Sequence, residues 1–148
     1  MLRSARNDVN LDSNNRKYMR KDSKSFKDSA EYDVQTAGAM FDSGRYIYVI
    51  FMCHLSIEKM LKAIAAETIQ KNPPKTHDLI YLFKIGQIQM PRDLFDFVAK
   101  INNVSIVTRY PEDFSKLIKV YPKNIAKEYL SKTKEVLQCL KKDKRLKE

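Results

Sequence analysis

Glycine and proline are scarce in this chain, with three and five among 148 residues. That scarcity excludes a turn-rich β architecture and leaves long elements with few breaks, which means helices. The two cysteines, Cys53 and Cys139, are far apart with no CxxC spacing, and Cys53 sits in an apolar run where a free thiol behaves as a small hydrophobe. A reducing, cytoplasmic setting is therefore expected. The two histidines, His54 and His77, have no HxxxH companion, so a zinc site is not expected and no cofactor is implied. No GxxxxGK[ST], GxGxxG or GxSxG motif occurs, and the strands that such motifs require are missing too. The N-terminal stretch MLRSARNDVNLDSNNRKYMRKDSKSF has no apolar segment of signal-peptide length, so export is not expected.

What is present is a composition of 43% hydrophobic and 31% charged residues, that of one globular domain with a real core. The chain is organised around residues 45–69, RYIYVIFMCHLSIEKMLKAIAAETI. The first ten residues after Arg45 are almost wholly apolar, and Ile57, Leu61 and Ile64 continue at helical spacing among Glu58, Lys59, Lys62 and Glu67. The apolar part falls short of the roughly 20 residues of a membrane span, so the stretch reads as the central helix of a bundle.

Residues 1–22 are polar and aperiodic and read as an arm. A first helix is expected from Ser23 or Ser25, either able to cap it, through Phe26, Ala30, Ala37, Met40 and Phe41, closing at Asp42, Ser43 and Gly44. So short a connection forces the second helix back antiparallel. Pro73 and Pro74 end the second helix, with fraying expected near Gln70 to Asn72. Thr76, His77 and Asp78 precede a two-turn helix ending at Gly86. Pro91 suits the start of a third main helix carrying Leu94, Phe95, Val98, Ile101 and Ile106. Residues 112–121 read as a connection packed across the bundle. Pro122 opens a fourth main helix with Ile125, Ala126, Tyr129, Leu130, Val136, Leu137 and Leu140 as its buried stripe. The fold class expected is all-α: an up-and-down bundle of four main helices, residues 23–140, with a short extra helix between the second and third and a basic tail over 141–148.

The net charge of +10 is uneven. Residues 1–22 hold six Lys/Arg against three Asp, and residues 141–148 hold five against two acids. Two basic ends favour phosphate-rich partners by sequence-independent attraction, or are simply solvated ends that keep the protein in solution.

His54, Glu58 and Lys62 stand at successive i, i+4 positions and project from one helix face. A buried carboxylate needs a partner, and Lys62, one turn on, or Arg109 from elsewhere would serve. This ladder is either a structural ion pair beside a satisfied histidine or the wall of a polar cleft for a nucleotide or RNA phosphate. His77, in KTHDLIYLF, is a general base or ligand by its chemistry, or a helix-start residue bonded to backbone. Arg109 and Tyr110 pair a fork-shaped phosphate donor with a face on which a base could stack, or else tie down a helix end and fill a groove.

These pieces, AEYDVQTAGAMFDSGRYIYVIFMCHLSIEKMLKAIAAE, then THDLIYL, then TRYP, resemble the HEPN-domain family, named for nucleotide binding in higher eukaryotes and prokaryotes. The resemblance spans about residues 23–140 and rests on Ala30 and Asp33, on Gly44 and Tyr46, on Glu58, Lys59 and Lys62, and on the His-Asp-Leu and Arg-Tyr-Pro segments. It implies a bundle of four or five helices, a homodimer, and a minimal nucleotidyltransferase partner made beside it in a toxin–antitoxin pair. Many relatives are metal-independent ribonucleases that use an Arg, four to six residues, then a His. Here eight residues separate Arg45 from His54, and no histidine follows Arg109. The resemblance thus points to a non-catalytic domain that binds a nucleotide, RNA phosphate or the nucleotidyltransferase through Glu58, Lys62, His77, Arg109 and Tyr110. The alternatives are a ribonuclease in which His77 and Arg109 replace the missing linear motif, and a structural homodimeric adaptor.

Overall fold

A computed structural model describes residues 18–109 and 112–147, with the helix backbone alone for 105–109. Residues 1–17 of the arm, and Tyr110, lie outside the described residues. Every element among the described residues is helical: α1 (Lys21–Asp42), α2 (Tyr46–Ile69), α3 (Leu79–Ile85), α4 (Arg92–Arg109), α5 (Phe114–Val120), α6 (Lys123–Lys141) and a 3-10 turn (Lys144–Leu146). The four long helices form the bundle, and α3 is the short helix between the second and third of them.

The α1–α2 hairpin is closed by Gly44, whose φ of 76° lies in the left-handed region where a Cβ would be strained. The Arg45 amide donates to Met40 at 2.8 Å and the Gly44 amide to Phe41 at 3.1 Å, so two carbonyls orphaned at the end of α1 are satisfied by the turn itself. Ala30 and Ala37, both fully buried, let α1 lie close on α2, and the Ser56 hydroxyl donates to the Ala30 carbonyl at 2.7 Å. α2 packs against every other α-helix. Ile57, Leu61 and Ile64 are completely buried along it, each worth about 1.5–3 kcal/mol relative to exposure. No described helix is long and apolar enough to cross a membrane. On the far side, α4 and α6 meet through Phe97 and Tyr129, edge to face at 5.5 Å, and through Asp93 and Lys132 at 3.8 Å.

Local signals place most boundaries. α2 ends at Ile69 on Gln70, itself left-handed at φ 55°, ahead of the two prolines. Pro122 is the N-cap of α6, where its missing N–H costs nothing. Two boundaries differ from expectation. α1 starts at Lys21, ahead of both serines, because the Glu67 carboxylate of α2 accepts the Arg20 amide and Ser23 is buried inside the first turn. Residues 112–121, expected as a connection, hold helix α5, capped by the Asp113 carboxylate that accepts the Lys116 amide at 3.2 Å.

The chain end folds back onto the bundle. Leu146 is buried, and Arg145 donates to Thr68 Oγ1 at 2.7 Å, to the Gly86 carbonyl and to the Gln87 carbonyl at 3.3 Å. Asp143 holds the guanidinium in a fork at 2.9 and 2.7 Å. One side chain thereby staples the end of α2 to the α3–α4 turn. The hydrogen bond from Arg145 holds the Asp143 carboxyl below its ordinary range, against the opposing effect of burial. A carboxyl so depressed contributes stability that is fully present above the unfolded value of 3.8 and is lost as pH falls through the lower folded value. Replacing Arg145 with Ala should lower unfolding free energy by about 1–3 kcal/mol at neutral pH, read by urea titration. The gap between wild type and variant should narrow once pH drops below the ordinary carboxylate range; a gap independent of pH would contradict the pairing.

Candidate functional site

The polar edge of α2 is built from its own periodicity. Glu58 lies one turn after His54 and one before Lys62, and all three are turned off the continuous apolar face. His54 is completely buried and Glu58 retains 3% exposure, so the carboxylate is committed to partners inside the protein. Lys62 Nζ stands 3.2 Å from Glu58 Oε2, and His77 Nδ1 stands 2.7 Å from Oε1. His54 Nδ1 lies 4.0 Å from that same Oε1.

Because the ammonium of Lys62 faces one carboxylate oxygen, Glu58 is the acceptor at the other, and Nδ1 of His77 carries the shared proton. The imidazole of His77 is otherwise 64% exposed. Nε2, across the ring from the anchored nitrogen, is the atom presented outward. Glu58 is thus a positioning group, and His77 is the member of the cluster able to meet a ligand.

Three contacts hold the His77 backbone in place. Thr76 Oγ1 accepts the Asp78 amide at 3.1 Å. The Asp78 carboxylate caps α3 by accepting the Ile80 and Tyr81 amides at 3.0 and 3.2 Å. Asn102, from the middle of α4, accepts the Leu79 amide at 2.9 Å and donates to Asp78 at 3.2 Å. Asn102 is absent from the residues singled out in the sequence, although a polar pair, Asn102 and Asn103, interrupting an apolar helical stripe was the available signal. The structure therefore joins Glu58, Lys62 and His77 directly. Arg109 closes α4 in its backbone, while its side chain and Tyr110 lie outside the described residues.

A second buried ion pair faces the opposite helix. Lys59 Nζ lies 2.7 Å from Asp33 and 2.8 Å from the Ser29 hydroxyl, pinning α1 to α2 beside the first cluster. Other chemistry is closed off. Burial pushes the Cys53 thiol up to about 12, so it is no thiolate nucleophile at neutral pH. Among the described residues no group of three or more His, Cys, Asp or Glu side chains is arranged to hold a metal ion.

With this geometry in view, the family model for the HEPN domain matches residues 23–144. The chain is similar in fold to TT1696 from Thermus thermophilus, with a TM-score of 0.69 at 16% identity over 82% of this chain and 98% of that one. It is also similar to ST0689, an archaeal HEPN homologue, with a TM-score of 0.64 at 18% identity over 82% of this chain and 97% of that one. No curated protein matches the chain.

Removing the carboxylate at the centre of the cluster should be the costly change. Glu58→Ala, which strands Lys62 and leaves a cavity, is expected to cost about 3–5 kcal/mol by chemical denaturation. Asn102→Ala should cost about 1–2 kcal/mol through the uncapped start of α3, and a loss of only a few tenths would refute its role.

Proposed function

The chain belongs to the HEPN-domain family, and on that footing we propose that it is a non-catalytic HEPN domain binding a nucleotide or RNA phosphate. In this reading Lys62, His77, Arg109 and Tyr110 meet the ligand, and Glu58 holds His77 and Lys62 in place. The observation that carries the reading is the anchored but exposed imidazole of His77, bonded through Nδ1 to buried Glu58 beside the Lys62 ammonium. Arg109 supports it by register. It lies seven residues after Asn102, two turns along the same face of α4, and Asn102 is the residue that grips the His77–Leu79 segment. An arginine at that position is suited to a phosphate by its fork of donors, and a tyrosine next to it to a base.

The same family footing supports a homodimer that works beside a minimal nucleotidyltransferase encoded nearby, in a toxin–antitoxin-like pair. The nucleotidyltransferase chemistry itself belongs to another chain, since its Gly-Ser strand and paired aspartates are not in this sequence.

A second reading is favoured by the same dyad. A histidine whose Nδ1 is held by a carboxylate presents Nε2 as a proton acceptor, which is the group a metal-independent ribonuclease needs to take the 2′-hydroxyl proton. In that case His77 and Arg109 act together in place of the linear Arg-x4-6-His motif. Arg45 and His54 do not supply the motif, because His54 is completely buried.

One set of variants tests both. His77→Ala and Arg109→Ala should each weaken binding of a labelled RNA oligonucleotide or of ATP about tenfold or more, read by fluorescence anisotropy, with helical content unchanged. Unchanged binding in folded variants would sink the phosphate reading. RNA cleavage by pure protein that disappears in His77→Ala would establish the ribonuclease reading, and no cleavage by a clean dimer would count against it.

A further inference from the structure

Seven large hydrophobic side chains are exposed among the described residues, and four of them are tyrosines whose hydroxyls suit them to water. The remaining three are Phe114 at 47%, Ile118 at 49% and Val120 at 61%, and all three fall on α5. A seven-residue helix attached through one buried residue, Leu117, thus carries all the large exposed apolar side chains that lack a polar atom.

At about 100° per residue, Phe114 and Ile118 lie on one shoulder of α5 beside buried Leu117, and Val120 lies on the other. Lys119 stands opposite Leu117 and forms the outward crest together with Lys116, whose side chain is 85% exposed. Lys123 follows just beyond Pro122 and is exposed. The nearest acids in sequence are Glu112 and Asp113, ahead of the helix. Asp113 is occupied in capping α5, and its carboxylate lies 4.0 Å from Lys116 Nζ.

We infer that α5 is the docking site for an acidic protein partner with apolar side chains of its own, seated along the Phe114 and Ile118 shoulder with its carboxylates over Lys116, Lys119 and Lys123. Charge selects this occupant. A bilayer would meet the lysine crest first, with the apolar side chains held back on the shoulders, the reverse of a helix built to lie in a membrane surface. A second copy packed on the same face across a two-fold axis would set lysine against lysine in a chain of net charge +10. An acidic partner turns those lysines into steering charges, and the shoulders supply the desolvated apolar centre that a specific interface needs.

The inference deepens the partner half of the function proposed above and rests on the chain having a protein partner. It makes no use of Glu58, Lys62 or His77. The probe is a labelled synthetic helix of about 18 residues with leucine along one face and glutamate elsewhere, titrated into the full chain, together with a control in which lysine replaces glutamate. Wild type should bind the acidic peptide in a salt-dependent manner and should not bind the basic one. Ile118→Asp, and Lys116→Glu combined with Lys119→Glu, should each weaken acidic-peptide binding about tenfold or more with an unchanged circular dichroism spectrum. Phe114→Ser serves as a second apolar variant should Ile118→Asp fail to fold. Equal affinity in wild type and folded variants would overturn the inference. So would binding to phosphatidylglycerol vesicles, or a dimer seen by sedimentation, that depends on Ile118 while the peptide does not bind. RNA and nucleotide binding should be unaffected by these α5 variants, so a failure here leaves the phosphate reading standing, and a failure there leaves this one.

Discussion

A carboxylate in the middle of the most buried helix is the constraint on which the rest of the candidate site depends. Glu58 cannot stay charged inside α2 without partners, and its two oxygens are met from two directions, by Lys62 one turn along and by His77 from the segment that follows the helix. The first contact is local. The second crosses nineteen positions and fixes where the chain goes after Pro73 and Pro74, because the imidazole reaches Oε1 only if residues 70–78 fold back along α2. Asp78, Asn102 and Thr76 then hold that return in place through backbone amides. The cost of burying charge is thereby offset by order in a segment that has little core of its own, and an exposed imidazole is left in a defined orientation.

The bundle was largely legible in the sequence because its main boundaries are set by residues acting on their own neighbours. Gly44 closes a helix by its conformational freedom, Asp78 caps one by its carboxylate, and Pro122 starts one by lacking an N–H. Boundaries set from a distance were not legible. The start of α1 is fixed by Glu67, forty-seven residues away, rather than by the serines beside it. α5 escaped notice for a different reason: only Leu117 is buried, so its apolar residues do not follow the period of a core-facing helix. The docking of Arg145 on Thr68 and Gly86 looks in sequence like one more charge in a basic tail.

In the candidate site, the i, i+4 ladder announced Glu58 and Lys62, since spacing alone puts them on one face. His77 was singled out for its chemistry, and the carboxylate that orients it is a tertiary fact. Asn102 was missed because an asparagine inside a helix carries no motif, and its importance comes from the amide it happens to face. Arg109 and Tyr110 were chosen as a phosphate donor and a stacking face, and their side chains lie outside the described residues. Two surfaces are thus separated on one small bundle: a polar edge with few exposed atoms, and an apolar, basic helix attached by one side chain.

The coupling between Glu58 and His77 is the centre of this account, and a double-mutant cycle on folding stability measures it most directly. Glu58→Gln and His77→Ala, made singly and together, are predicted to be non-additive by about 0.5–3 kcal/mol, as expected of groups that share a proton in one buried network. Strict additivity, with the two substitutions acting independently, would contradict the claim that the buried carboxylate holds the exposed imidazole in place.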